Sequence, residues 1–243
     1  MCVGYYPNKY PLLSVMELPF VLPVPLEERS KVEMAVMNHP DIAAELAKRW
    51  NMRFLGPSFL PAYEFMGNKR IETVEDMKGV KFRSYNNATS RLAELTGMLP
   101  VTIEAAELSQ AFATGVAESM ISSGATGYDQ KVWESLTHFY EVDAWLPRNY
   151  IMINNDVWND VSEENKAIIT TCASDAETRG LQASKDYTQF TYDGLREGGM
   201  TVEPASEELM SGLRDIGGTM TSEWLENAGE DGQAIVDSYK SMQ

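Results

Sequence analysis

From Ser162 to Glu197 the chain contains no proline, and glycine interrupts it only at positions 180 and 194. A helix over this whole stretch exceeds the three or four turns usual in globular proteins. Such a segment either bridges two bodies or kinks near Gly180. The chain has 243 residues, more than one hydrophobic core ordinarily serves and enough for two lobes. Its 44% of hydrophobic residues suffices to offset the conformational entropy lost on folding.

The segment before that helix alternates. Thr73 to Gly79 has a capping threonine at one end and a terminating glycine at the other, which predicts a short helix. A strand follows in Val80-Lys-Phe-Arg-Ser-Tyr85, with Val80 and Phe82 on one face and Lys81, Arg83 and Tyr85 on the other. Helix Ala88–Thr96, strand Val101–Ile103, helix Glu104–Ala113, strand Glu118–Ser122 and helix Tyr128–Phe139 continue the rhythm. Alternation of this kind predicts an α/β fold with a mainly parallel sheet covered on both faces. In such sheets ligands bind beyond the carboxyl ends of the strands, where Arg83 and the Ser122-Ser-Gly-Ala-Thr-Gly127 turn fall.

Elsewhere the pattern is less regular. Glu17 to Pro25 holds three prolines and reads as a buried extended connector. Leu26 to Trp50 reads as two helices divided at Pro40, and Met52 to Phe65 as extended chain. Tyr150-Ile-Met-Ile-Asn154 fits a buried strand and Met200–Glu203 a last strand. Ser206 to Gln243 fits two helices separated near Gly229-Glu-Asp-Gly232.

Composition narrows the function classes. A formal charge of −16 with only 20 basic residues opposes nucleic acid, whose phosphates require clustered Lys and Arg. It does not oppose an anionic ligand, because one buried arginine can dominate the potential inside a cleft. Cys2 and Cys172 form no zinc or dithiol pattern, and Cys172, among Ala and Ile, reads as a small core residue. No stretch approaches the about 18 apolar residues of a membrane span. The opening residues carry no secretory signal, so the chain is either cytoplasmic or lacks its true beginning.

Arg83 is the sharpest chemical feature, since a planar guanidinium at a strand end offers two parallel donors that match a carboxylate. A surface ion pair is the alternative. Ser122 and Ser123 either present hydroxyls to an anion or simply make a strand-to-helix turn. Among the tryptophans Trp133 and Trp158 read as core, and Trp145, beside Pro147, as a pocket wall. His39 and His138 read as structural. The acid pairs Glu163-Glu164 and Glu207-Glu208 sit at helix N-termini, where they offset the macrodipole. Serine-hydrolase, nucleotide, dinucleotide and zinc-protease motifs are absent from the sequence, and no cofactor is called for.

Met77-Lys-Gly-Val-Lys-Phe-Arg-Ser84, then Pro100-Val-Thr-Ile103, then Glu107-Leu-Ser-Gln-Ala-Phe-Ala-Thr-Gly-Val-Ala-Glu118 stand in this order. With Glu17-Leu-Pro-Phe20, Ser123-Gly-Ala-Thr-Gly-Tyr-Asp129, Lys131-Val-Trp-Glu134 and Phe139-Tyr-Glu-Val142, the chain resembles the DctP-type solute receptors of tripartite ATP-independent periplasmic (TRAP) transporters. The resemblance implies a periplasmic receptor rather than an enzyme, with two α/β lobes around a ligand cleft and a long lobe-spanning helix. It implies lobe I over residues 1–61 plus 148–187 and lobe II over 62–147 plus 188–243. Its implied partners are a small organic carboxylate and the membrane permease subunits. On this resemblance Arg83 holds the ligand carboxylate, Ser122 and Ser123 contact ligand from the same lobe, and Trp145 and Asn149 line the cleft near the hinge. Tyr63 takes a cleft position where some relatives carry a second arginine, which leans the ligand towards a monocarboxylate with an apolar or aromatic body. Receptors of this kind begin with a signal peptide, strand, helix and strand ahead of the segment resembling Tyr10–Phe20, so the first lobe is expected to be incomplete. An α/β enzyme acting on a small carboxylate and a ligand-sensing module remain alternatives.

Overall fold

The computed structural model describes residues 12–20 and 40–240. The first helix of the proline-divided pair, Cys2 and His39 lie outside them. A 3-10 turn at Leu12–Glu17 is followed by helix α1 (Pro40–Trp50) and strands β1 (Met52–Phe59) and β2 (Tyr63–Gly67). Strand β3 (Lys81–Ser84), helix α2 (Asn87–Leu95), strand β4 (Leu99–Thr102), helix α3 (Leu108–Ala113) and strand β5 (Ser119–Ser123) come next. Helix α4 (Gly124–Asp129), strands β6 (His138–Glu141) and β7 (Arg148–Asn154), and helix α5 (Asn155–Asp160) lead into helix α6 (Glu163–Glu197). Strand β8 (Thr201–Pro204) and helix α7 (Glu207–Lys240) end the described chain.

Two sheets result. One is six-stranded in the order β4-β3-β5-β2-β6-β8, and the other is the antiparallel ribbon β1-β7. The extended stretch after Asn51 therefore divides between sheets at Leu60–Ala62. In the larger sheet β3 runs parallel to β4 and β5, and β6 parallel to β8, but β2 is antiparallel to both of its neighbours. Five of the six strands therefore run in one direction, so the sheet is mainly parallel as expected, with β2 its one antiparallel member. Helical crossovers build the β3, β4 and β5 side, as the alternation in sequence requires. β2 instead enters directly from the ribbon and runs against that direction.

Side-chain alternation follows the pairing. Arg83, Met120, Ser122, Glu64, Met66 and Phe139 share one face, and Phe82, Ile121, Ser123, Tyr63, Phe65 and Tyr140 share the other. Each face carries its own apolar cluster: Phe65, Phe82 and Ile121 pack with α2 and α7, while Met66, Met120 and Phe139 pack with Leu108, Phe112 and Leu195.

The helix expected over Tyr128–Phe139 does not form. Ser123 caps a six-residue helix by accepting the Thr126 N–H at 3.2 Å, so the helix begins at the strand end. It stops where Lys131 takes a left-handed conformation, φ 50°. A 3-10 turn follows at Val132–Glu134, and His138–Glu141 pairs with β2 as a strand.

α6 is one continuous helix of 35 residues, on the order of 50 Å long at about 1.5 Å per residue. It crosses both β1 and α4, so bridging and not a kink at Gly180 accounts for its length. Ala173 faces Gly56 of β1. Cys172, one position and about 100° away around the helix, is exposed; the core position expected for it is corrected. A helix that lies on a two-stranded ribbon buries only a narrow stripe. For the same reason β7 is not the fully buried strand its composition suggests: Tyr150 is buried while Ile151 is 49% exposed. Trp158 is buried and Trp133 only partly so. His138 stacks on Tyr140 and bonds Thr137 through Nδ1 at 2.8 Å, a structural role.

Thr73 forms the expected capping box, here on a 3-10 turn at Val74–Met77 that ends at Gly79, φ 74°. The C-terminal helical stretch breaks at Gly229, φ 63°, where a residue with a Cβ would be strained.

Candidate ligand-binding site

Arg83 stands one residue before the end of β3, between two parallel neighbours, and is only 5% exposed. Its Nε donates to the carbonyl of Ile103 at 2.9 Å, and its guanidinium lies 5.0 Å from the centre of the Tyr85 ring. A guanidinium anchored at Nε and stacked on an aromatic face has its plane fixed, which is the preorganisation that carboxylate recognition requires.

An aromatic chain continues from Tyr85. Its ring centre is 6.0 Å from that of Tyr63, which in turn is 5.2 Å from Trp145. Tyr63 stands opposite Ser123 across β2 and β5. Trp145 is brought there by the backbone: the Tyr63 N–H donates to the Trp145 carbonyl at 2.9 Å, and the Ala144 N–H donates to the Tyr63 carbonyl at 3.0 Å. The indole is 1% exposed, and its Nε1–H has no partner among the described residues.

Of the six residues singled out in the sequence, Arg83, Tyr63, Ser123 and Trp145 gather at this end of the large sheet, with Tyr85 linking them. Ser123 also serves as the α4 cap. Ser122 is buried but belongs to the opposite sheet face from Ser123, the face of Arg83 and Glu64. Asn149 stands apart on the ribbon, opposite Ser58. Two surface cavities, of about 250 Å³ beside Leu46 and Phe54 and about 190 Å³ beside Asn87 and Trp224, contain none of the six. Among the described residues no group of three or more His, Cys, Asp or Glu side chains is arranged to hold a metal ion.

Two buried charged residues escaped the sequence reading. Arg148 is 3% exposed, with its guanidinium 4.2 Å from the centre of the Phe59 ring. Glu64 is fully buried. Its Oε2 accepts the N–H groups of Val142 at 2.6 Å and Asp143 at 2.9 Å, and its Oε1 accepts the Tyr192 hydroxyl at 2.8 Å. Burial, and then the nearby Asp143 carboxylate, push Glu64 up to about 8 against the opposing pull of these three bonds. Burial, and then the adjoining Glu64 carboxyl group, raise Tyr192, which stays neutral. The signal for both was available, because each is a lone charge in an apolar run, Ala62-Tyr-Glu-Phe-Met66 and Trp145-Leu-Pro-Arg148. A charge in such a run is buried only with partners.

The sequence matches the bacterial extracellular solute-binding protein family 7, DctP, over residues 2–226. The chain belongs to this family. Solved DctP-type receptors share its fold closely. A TRAP solute binding protein from an unidentified microbe of a marine metagenome, specific for pyroglutamate, is 41% identical with a TM-score of 0.88, covering 98% of this chain and 77% of that one. DctP6 of Bordetella pertussis, an extracytoplasmic solute receptor binding pyroglutamic acid, is 34% identical with a TM-score of 0.90, covering 99% and 79%. DctP7 of the same organism, also binding pyroglutamic acid, is 32% identical with a TM-score of 0.89, covering 99% and 78%. The two-lobed solute-binding fold with its long helix is common to them and to this chain.

Proposed function

We propose that the chain is the extracytoplasmic receptor of a TRAP transporter and captures pyroglutamate, or a closely similar small cyclic monocarboxylate, for delivery to the membrane permease in the periplasm. The observation that carries this reading is the buried, Nε-anchored Arg83 guanidinium beside Tyr85, Tyr63 and Trp145. Pyroglutamate is a flat lactam ring with one carboxylate. Arg83 pairs with the carboxylate, the aromatic chain covers the ring, and the Trp145 Nε1–H donates to the lactam carbonyl. Ser123 adds its hydroxyl beside Tyr63, Ser122 adds its own from the Arg83 face, and Asn149 reaches the ligand from the ribbon on closure. Support comes also from the three pyroglutamate receptors, each more than 30% identical to the chain.

The ligand is held by closure between lobe I, residues 1–61 plus 148–187, and lobe II, residues 62–147 plus 188–243. What supports this division is that strands of the large sheet begin at Tyr63 and resume at Thr201, while the ribbon uses 52–59 and 148–154. Binding needs no covalent step: ligand selects the closed state by its contacts to both lobes.

Thermal unfolding with pyroglutamate, proline, cyclopentanecarboxylate and open-chain mono- and dicarboxylates tests the reading. Pyroglutamate is expected to raise the midpoint by mass action, and Arg83→Ala to abolish the rise. A cooperative transition that none of these acids moves would overturn it.

A further inference from the structure

Strand β6 pairs with β2 in regular register, Phe65 opposite Tyr140 and Gly67 opposite His138. Continued, that register would bring Val142 opposite Tyr63. Instead Tyr63 exchanges its backbone bonds with Ala144 and Trp145. The extra residues, Val142 and Asp143, bulge, and Asp143 takes a left-handed conformation with φ 46°, strained for a residue with a Cβ. Bulges of this kind re-aim the side chains that follow them. The two N–H groups displaced from the ladder both point to one acceptor, Glu64 Oε2.

We propose that Glu64 is the positioning residue of the ligand site: its carboxyl group holds the Val142–Asp143 bulge open and ties it to α6, thereby setting the Trp145 indole against Tyr63. Three features carry the inference. The carboxyl group is fully buried, so water cannot replace it. Its second oxygen bonds Tyr192, on the long helix that crosses both sheets. Tyr192 is fixed in turn by Gly124, whose Cβ, if present, would lie 2.7 Å from the ring. Glu64 therefore joins β2, the segment leading to β7 and the bridging helix at one point, on the sheet face opposite Tyr63. The other charged groups around it are Asp143 on the bulge, Glu141 at the end of β6, and Arg196 of α6, which lies 3.6 Å from Glu141. Protonated, Glu64 keeps Oε2 as acceptor for both amides and donates from Oε1 to the Tyr192 oxygen, so glutamine reproduces every bond.

The inference uses the ligand reading above for one arm of its test and is independent of it in the other. Glu64→Ala and Glu64→Gln are compared with the parent by titration calorimetry with pyroglutamate and by hydrogen exchange of the Val142 and Asp143 amides without ligand. Glu64→Ala is expected to bind at least about ten-fold more weakly, the scale of losing buried bonds that fix a contact, and to exchange both amides faster. Glu64→Gln is expected to restore affinity to within about three-fold and to restore protection, which a carboxamide of equal reach permits. Wild-type affinity and protection in Glu64→Ala would overturn the proposal, as would a folded Glu64→Gln that fails to protect the two amides. If Glu64→Ala does not fold, Glu64→Gln together with Tyr192→Phe decides, the latter expected to loosen α6 but leave the amides protected. If the parent binds no pyroglutamate, the ligand reading fails, and the exchange arm alone settles the role of Glu64.

Discussion

Glu64 makes stability depend on pH in a direction opposite to that of most carboxylates. In the unfolded chain its carboxyl group titrates near 4.5, whereas in the folded protein burial and Asp143 hold it at about 8. Below 4.5 both states carry the proton. Between the two values the unfolded state has released it and the folded state has not, so rising pH favours unfolding until the folded group ionises too. At about 1.4 kcal/mol for each pH unit between them, the loss from this one residue is on the order of 5 kcal/mol by pH 8 to 9. Other groups also titrate, so the clean quantity is the difference between the parent and Glu64→Gln, which keeps the bonds and cannot ionise. Urea unfolding of both proteins at half-unit steps from pH 4.5 to 9, followed by circular dichroism, measures it. The variant is expected to be close to the parent at pH 4.5 and to gain on it steadily, reaching several kcal/mol by pH 8.5. A difference that stays flat across the range would refute the reasoning. A difference running the other way would mean that the three hydrogen bonds outweigh burial and that Glu64 is held ionised.

Trp145→Phe keeps the aromatic wall and removes only the indole N–H. Pyroglutamate binding, read by calorimetry, is expected to weaken by about 5- to 30-fold, the scale of one buried hydrogen bond, while cyclopentanecarboxylate, which lacks the lactam, changes little. Arg83→Lys retains charge but not the planar fork, and pyroglutamate affinity is expected to fall about 30-fold or more. Gly124→Val should force Tyr192 from its place and lower stability by about 1 to 3 kcal/mol, visible in the urea midpoint. Cys172 should react fully with a thiol reagent in the folded protein, as followed by peptide mass spectrometry, because it is exposed; protection until unfolding would contradict its placement.

Local signals carried much of the architecture. The absence of proline from Ser162 to Glu197 dictates a helix, and Ser162, whose Oγ accepts the Asn165 N–H, starts it where the sequence indicates. Thr73 and Gly79 bound their turn, and Gly229 breaks the last helix, because capping and left-handed glycines are properties of a few consecutive residues. Arg83 is legible for a similar reason: two-residue periodicity places it at a strand end, and its chemistry does not depend on distant partners.

Where the reading failed, the deciding contacts lie far apart in sequence. His138–Glu141 is a strand and not a helix because β2 and β8 stand on either side of it, a neighbourhood that composition does not encode. Cys172 is exposed because the surface beneath α6 is a ribbon one stripe wide. Glu64 shows the same limit most clearly. Sequence marks it as a charge within an apolar strand, but its bonds run to residues 78 and 128 positions away. The sequence by itself determined the long helix, most of the alternating strands and helices, the family and the strand-end arginine, since each rests on local periodicity or on motifs in order. Only the tertiary structure decided which buried carboxyl group meets the bulge after β6 and which face each side chain meets, because those depend on a register slip between β2 and the segment after β6, and on burial that no single segment can create.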